Sequence, residues 1–101
     1  MLVRKRIQID EERLAEICRQ FHVQELALFG SVLRDDFRND SDIDVLVEYE
    51  PDAVVGLFHH FKLEEALEQV LGRNVDLIPK GGLRSILKDE VLRTAEIIYA
   101  T

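Results

Sequence analysis

A chain of 101 residues, 47% hydrophobic and 33% charged with 2 Pro and 5 Gly, is expected to form one globular domain and leaves little room for a separate substrate module. Its net charge of −7 disfavours direct nucleic-acid binding, because an acidic surface repels phosphate backbones, yet permits one nucleotide held with metal ions. The lone Cys18 excludes an internal disulfide, no Cys/His cluster has zinc spacing, and no apolar stretch is long enough for a membrane or signal segment, so a cytoplasmic protein is expected.

Asp10 is placed to cap a helix that starts at Glu11. Leu14, Ile17, Cys18 and Phe21 follow at i, i+3, i+4 and i+7, which turns Cys18 towards the core. "VQELALF", Val23 to Phe29, predicts a short buried strand closed by Gly30. "SVLRDDF" is long enough for only a turn or two of helix, and "FRNDS" reads as loop. "DIDVLVEY" predicts a strand rich in β-branched residues and ended by Pro51. From Gly56 to Leu71, Leu57, Phe58, Phe61, Leu67, Val70 and Leu71 keep helical spacing, and Gly72 is a natural stop. "NVDLIP" predicts a third strand. After "GG", Leu83, Leu87, Val91, Ala95 and Ile98 form the stripe of a last helix, with Leu92 and Tyr99 off it. The order α-β-α-β-α-β-α predicts an α/β (α+β) fold: a small mixed sheet of about three strands with helices packed on it, as a single domain over 1–101.

Chemistry concentrates in the second strand. Residues i and i+2 of a strand share a face, so Asp42 and Asp44 project together while Ile43, Val45 and Val47 face the core. Like charges this close repel unless water screens them or a cation sits between them. Magnesium suits such a spot, since it takes oxygen ligands and keeps waters for substrate phosphates. Asp76, between Val75 and Leu77, adds a third carboxylate if its strand lies alongside. Three acids on one patch fit metal-assisted phosphoryl displacement. Asp42 alone reads as an ordinary turn acid, and Asp76 alone reads equally well as a solvated strand end. Their combination points to function. Gly30-Ser31 lets a ligand approach the backbone and offers donors to a phosphate. Arg34, on the same side as Ser31, can meet a phosphate or pair with the nearby acids, and the second role is slightly favoured. Lys80, Arg84 and Arg73 flank the third strand, where phosphate contact competes with simple loop solvation. His59 and His60 point about 100° apart on a helix, and His22 sits at a junction, so none reads as a metal ligand.

Gly30-Ser31, then Asp42-Ile43-Asp44, then Asp76 resembles the pattern of the nucleotidyltransferase superfamily that includes DNA polymerase β. "LFGSVLRDDFRNDSDIDVLVEYEPD" looks most like its minimal nucleotidyltransferases, and the resemblance runs from about residue 20 to the C-terminus. It departs at Asp35, where many members carry Gly after the Arg. The resemblance implies a nucleotidyltransferase fold in which Asp42 and Asp44 hold Mg²⁺ and position ATP. It implies that Asp76 completes the metal site and helps activate the acceptor hydroxyl, and that Gly30 and Ser31, with Arg34 beside them, hold the triphosphate. It implies a partner as well: a HEPN-type toxin protein, silenced when the antitoxin transfers AMP to one of its tyrosines. The alternatives are an antitoxin that neutralises by binding alone, and nucleotidyl transfer to RNA or a small molecule.

Overall fold

Alternating apolar residues build the sheet. The computed structural model describes residues 1–3, 7–34, 37–38, 41–83 and 85–101. Strands β1 (Leu2–Val3) and β2 (Ile7–Gln8) pair antiparallel ahead of helix α1 (Glu11–Gln20). Strand β3 (Val23–Phe29) runs into a 3₁₀ turn, Gly30–Leu33. Strand β4 (Ile43–Tyr49), helix α2 (Leu57–Leu71) and strand β5 (Val75–Pro79) follow. A second 3₁₀ turn (Lys80–Gly82), helix α3 (Ser85–Thr94) and strand β6 (Glu96–Ala100) complete the order.

The main sheet is ordered β5-β4-β3-β6, with β4 and β5 parallel and the other pairs antiparallel. The register puts Leu26, Leu28, Ile43, Val45, Val47, Val75 and Leu77 on one face, all buried. That face packs on Leu14, Ile17 and Cys18 of α1 and on Leu63, Leu67 and Leu71 of α2. Val3 of β1, Ile7 of β2 and Ile9 just after it extend the same core. The expected cap forms: Asp10 accepts the Arg13 N–H at 3.2 Å. Gly72 ends α2 with φ of 69°, the left-handed conformation in which glycine is least costly.

Two sequence expectations change. The last helix ends at Thr94, and Ile98 and Tyr99 belong to a fourth strand rather than to a helical turn. "EIIYA" alternates Ile97 exposed with Ile98 buried, the period of a strand, and β3 offers the pairing edge. Neither Gly nor Pro marks the change, so the helical stripe ran on through it. The pairing of β1 with β2 was also not anticipated, because these strands have two residues each. Asp35, Arg84 and the Leu87 side chain lie outside the described part.

Helix α2 also closes one edge of the sheet. Glu68 accepts the Val75 N–H and Glu64 accepts the Leu77 N–H, each at 3.0 Å. His60 Nε2–H donates to the Leu77 carbonyl at 2.9 Å. Since that carbonyl can only accept, the neutral ring leaves Nδ1 to accept from the Tyr49 hydroxyl at 3.0 Å. His59 Nε2–H donates to the Phe21 carbonyl at 2.8 Å. Both histidines therefore hold elements together. Burial pushes the Cys18 thiol up to about 12. Cys18 is accordingly expected to resist iodoacetamide in the native protein and to react on unfolding; fast alkylation, followed by mass spectrometry, would contradict this placement. Among the described residues no helix is long and apolar enough to cross a membrane.

Candidate functional site

The second face of the sheet carries the acids. Phe29, Asp44 and Asp76 occupy matched positions across β3, β4 and β5. Adjacent strands lie about 4.8 Å apart, so Asp44 and Asp76 are close neighbours. Ala27, Leu46 and Ile78 form the next row, and Glu25 pairs with Glu48 beyond it. At that far end Lys80 meets Glu48 at 3.2 Å and Glu25 at 3.6 Å. This lysine is thus engaged well away from Asp44.

Asp44 is half-buried, whereas Asp42, just before β4, and Asp76 are exposed. Burial raises the Asp44 carboxyl above its ordinary value, and the charge of Asp76 adds to the rise. Arg34 works against it, Asp42 adds a smaller push upward, and the Ser31 backbone N–H donates to the carboxylate. One donor of the Gly-Ser turn is thereby committed to Asp44. Gly30 has φ of 74°, and a Cβ there would overlap Asp44 Oδ2. The turn and the acid are fitted to each other.

A cleft of about 550 Å³ opens beside them. Phe29, Gly30, Leu33, Arg34 and Asp44 line one side, and Glu90, Val91 and Thr94 of α3 line the other. The periodicity that puts Val91 on the stripe of the last helix does not say that this helix forms a cleft wall. Phe29 and Leu33 were overlooked as well, although both flank the Gly-Ser turn.

Among the described residues, no three His, Cys, Asp or Glu side chains are grouped so as to hold a metal ion by themselves. Magnesium is commonly held by one or two carboxylates, its remaining positions going to water and substrate phosphates. The hard oxygen donors of Asp44 and Asp76, side by side and mutually repelling, suit that mode. They do not suit a closed structural site.

The nucleotidyltransferase domain model matches residues 11–99 of the chain. The protein adenylyltransferase MntA of Thermococcus cleftensis is 40% identical over 84 residues, which is 83% of this chain and 81% of that protein. A solved structure of a minimal nucleotidyltransferase is 38% identical with a TM-score of 0.69, over 84% of this chain and 85% of its own. A Shewanella oneidensis complex of tri-AMPylated HEPN toxin and MNT antitoxin matches with a TM-score of 0.62 at 22% identity, over 90% of this chain and 70% of that one. This last likeness concerns the fold alone.

Proposed function

The chain belongs to the nucleotidyltransferase domain family, and from that premise we propose a Mg²⁺-dependent protein adenylyltransferase, an antitoxin that transfers AMP from ATP to a tyrosine of a HEPN-type toxin. The observation that carries this reading is Asp44 in register with Asp76, packed against Gly30 at the mouth of the cleft. The Thermococcus relative is named for that activity, and the Shewanella neighbour holds an AMPylated HEPN toxin.

In this reading Asp44 and Asp76, paired across β4 and β5, would supply carboxylates to Mg²⁺, with Asp42 just ahead of β4 as the third acid and the ion's remaining positions going to water and the triphosphate. When bound, the ion supplies charge neutralisation at the triphosphate and at the pentacoordinate phosphorus. Gly30 and Ser31 let the triphosphate approach the backbone, and Arg34 stands beside them. Phe29, Leu33 and Val91 give the cleft apolar walls against which the base packs. The tyrosine oxygen attacks the α-phosphorus, the bond to the bridging oxygen breaks, and pyrophosphate leaves. Asp76, exposed beside Asp44, receives the hydroxyl proton. An acidic chain favours a basic protein acceptor over RNA or DNA. ATP as donor and one free thiol agree with a cytoplasmic location.

Label position tests the reaction class. With Mg²⁺ and a HEPN-type partner, α-labelled ATP is expected to mark the partner and γ-labelled ATP to leave it unmarked. Transfer from the γ position would indicate a kinase, and no transfer from either would leave neutralisation by binding.

A further inference from the structure

Arg73 stands between the end of α2 and the start of β5, three residues before Asp76. Its Nη1 donates to the Arg38 carbonyl at 2.8 Å and lies 3.4 Å from the Ser41 carbonyl, and Cζ sits 4.5 Å from the centre of the Phe37 ring. The contacted backbone is closed on itself as well. The Ser41 N–H donates to the Arg38 carbonyl at 3.1 Å, and the Ser41 hydroxyl accepts the Arg38 N–H at 2.9 Å. Two residues on, the Ile43 N–H donates to the Asn74 carbonyl at 2.9 Å. Ser41 immediately precedes Asp42, and Ile43 separates Asp42 from Asp44.

We infer that Arg73 is a positioning residue for the carboxylate site: it ties the chain entering β4 to the chain entering β5 and so sets Asp42 against Asp44 and Asp76. The inference rests on the adenylyltransferase reading for its catalytic consequence, but not for its geometry. Asp42 lies outside the strand and is exposed, so the sheet ladder does not hold it. The described contacts at its N-terminal side are those of Ser41, which Arg73 shares with the turn. Lysine cannot reproduce the arrangement. A planar guanidinium stacks on a ring while donating in its own plane, whereas an ammonium offers point-like donors and no stacking plane.

The effect is expected at the metal rather than on the fold. Groups that orient metal ligands without touching the metal typically change metal affinity or activity by about 10- to 100-fold when removed. Two variants, Arg73→Met and Arg73→Lys, are compared with the parent in two measurements. The first is amide hydrogen exchange of the metal-free protein. The N–H groups of Arg38, Ser41 and Ile43 are expected to exchange at least about 10-fold faster in Arg73→Met, while core amides such as those of Leu28 and Val45 keep their parental rates. The second is a Mg²⁺ titration of ATP binding by calorimetry, with the midpoint expected to rise about 10-fold or more in both variants. Unchanged exchange at the three amides overturns the inference, and so does a uniform rise across the core. If the parent itself binds no ATP with Mg²⁺, the adenylyltransferase reading fails, and the exchange data still decide whether Arg73 holds this junction.

Discussion

Asp44→Asn is expected to lower nucleotidyl transfer by about 10³-fold while raising the melting temperature of the metal-free protein at neutral pH. The first effect is expected because, in the proposed reading, this carboxylate would hold the Mg²⁺ that offsets negative charge at the phosphates. The second follows from the cost of that carboxylate when no cation is present. Burial, and then the charge of Asp76, raise the Asp44 pKa above its ordinary 3.8. The folded state therefore binds the Asp44 proton more tightly than the unfolded chain does. The stabilisation from that proton is complete below the unfolded value and is lost as pH rises through the folded one. At neutral pH the folded protein carries the ionised group at a disadvantage, which a neutral amide removes. Asn keeps an oxygen to accept the Ser31 N–H, so the turn is preserved. Calorimetry in chelator should show the variant melting higher than the parent at neutral pH, with the gap closing in acid. A lower melting point at neutral pH, or transfer near the parental rate, would refute this account of Asp44.

Gly30→Ala is expected to damage both stability and transfer, for separable reasons. An L-residue at φ of 74° costs about 1–2 kcal/mol. The added Cβ also overlaps Asp44 Oδ2, so the carboxylate must move. A displacement of about 1 Å in a reacting constellation can cost about 10²-fold in rate. Gly72→Ala provides the control: its φ of 69° imposes comparable strain, but nothing lies within 4 Å of the new Cβ. Urea denaturation should show similar losses for the two variants, and only Gly30→Ala should lose transfer, by about 10²-fold or more. Equal activity in the two variants would mean that the fit of Gly30 to Asp44 has no part in catalysis.

Much of this arrangement was legible because it is local. Strand β3 follows directly from "VQELALF", and the apolar alternation of Ile43, Val45 and Val47 identifies the face opposite Asp44. Asp44 and Asp76 could be read as strand residues, but their adjacency depends on β4 and β5 pairing in parallel, which periodicity does not specify. The α3 wall of the cleft was hidden for a related reason. A helix stripe shows that some surface is covered, not which face of the sheet covers it. Strand β6 was missed because Glu96 to Ala100 become a strand only by pairing with β3, some seventy residues earlier in the chain. Arg73 was read as a choice between phosphate contact and solvation. Its contacts with Phe37, Arg38 and Ser41 are tertiary, so no spacing announces them.

The closed edge of β5 bears on how the protein behaves at high concentration. Strand-to-strand growth needs two free edges on each molecule, one to receive a neighbour and one to pass the growth on. Here Glu64 and Glu68 already take the outward N–H groups of Leu77 and Val75, and His60 takes the Leu77 carbonyl. At most one edge of the sheet, β6, remains for an incoming strand. Association through the main sheet is then expected to end in a closed pair rather than to run on into a fibre, and substituting Glu64 and Glu68 would remove that stop.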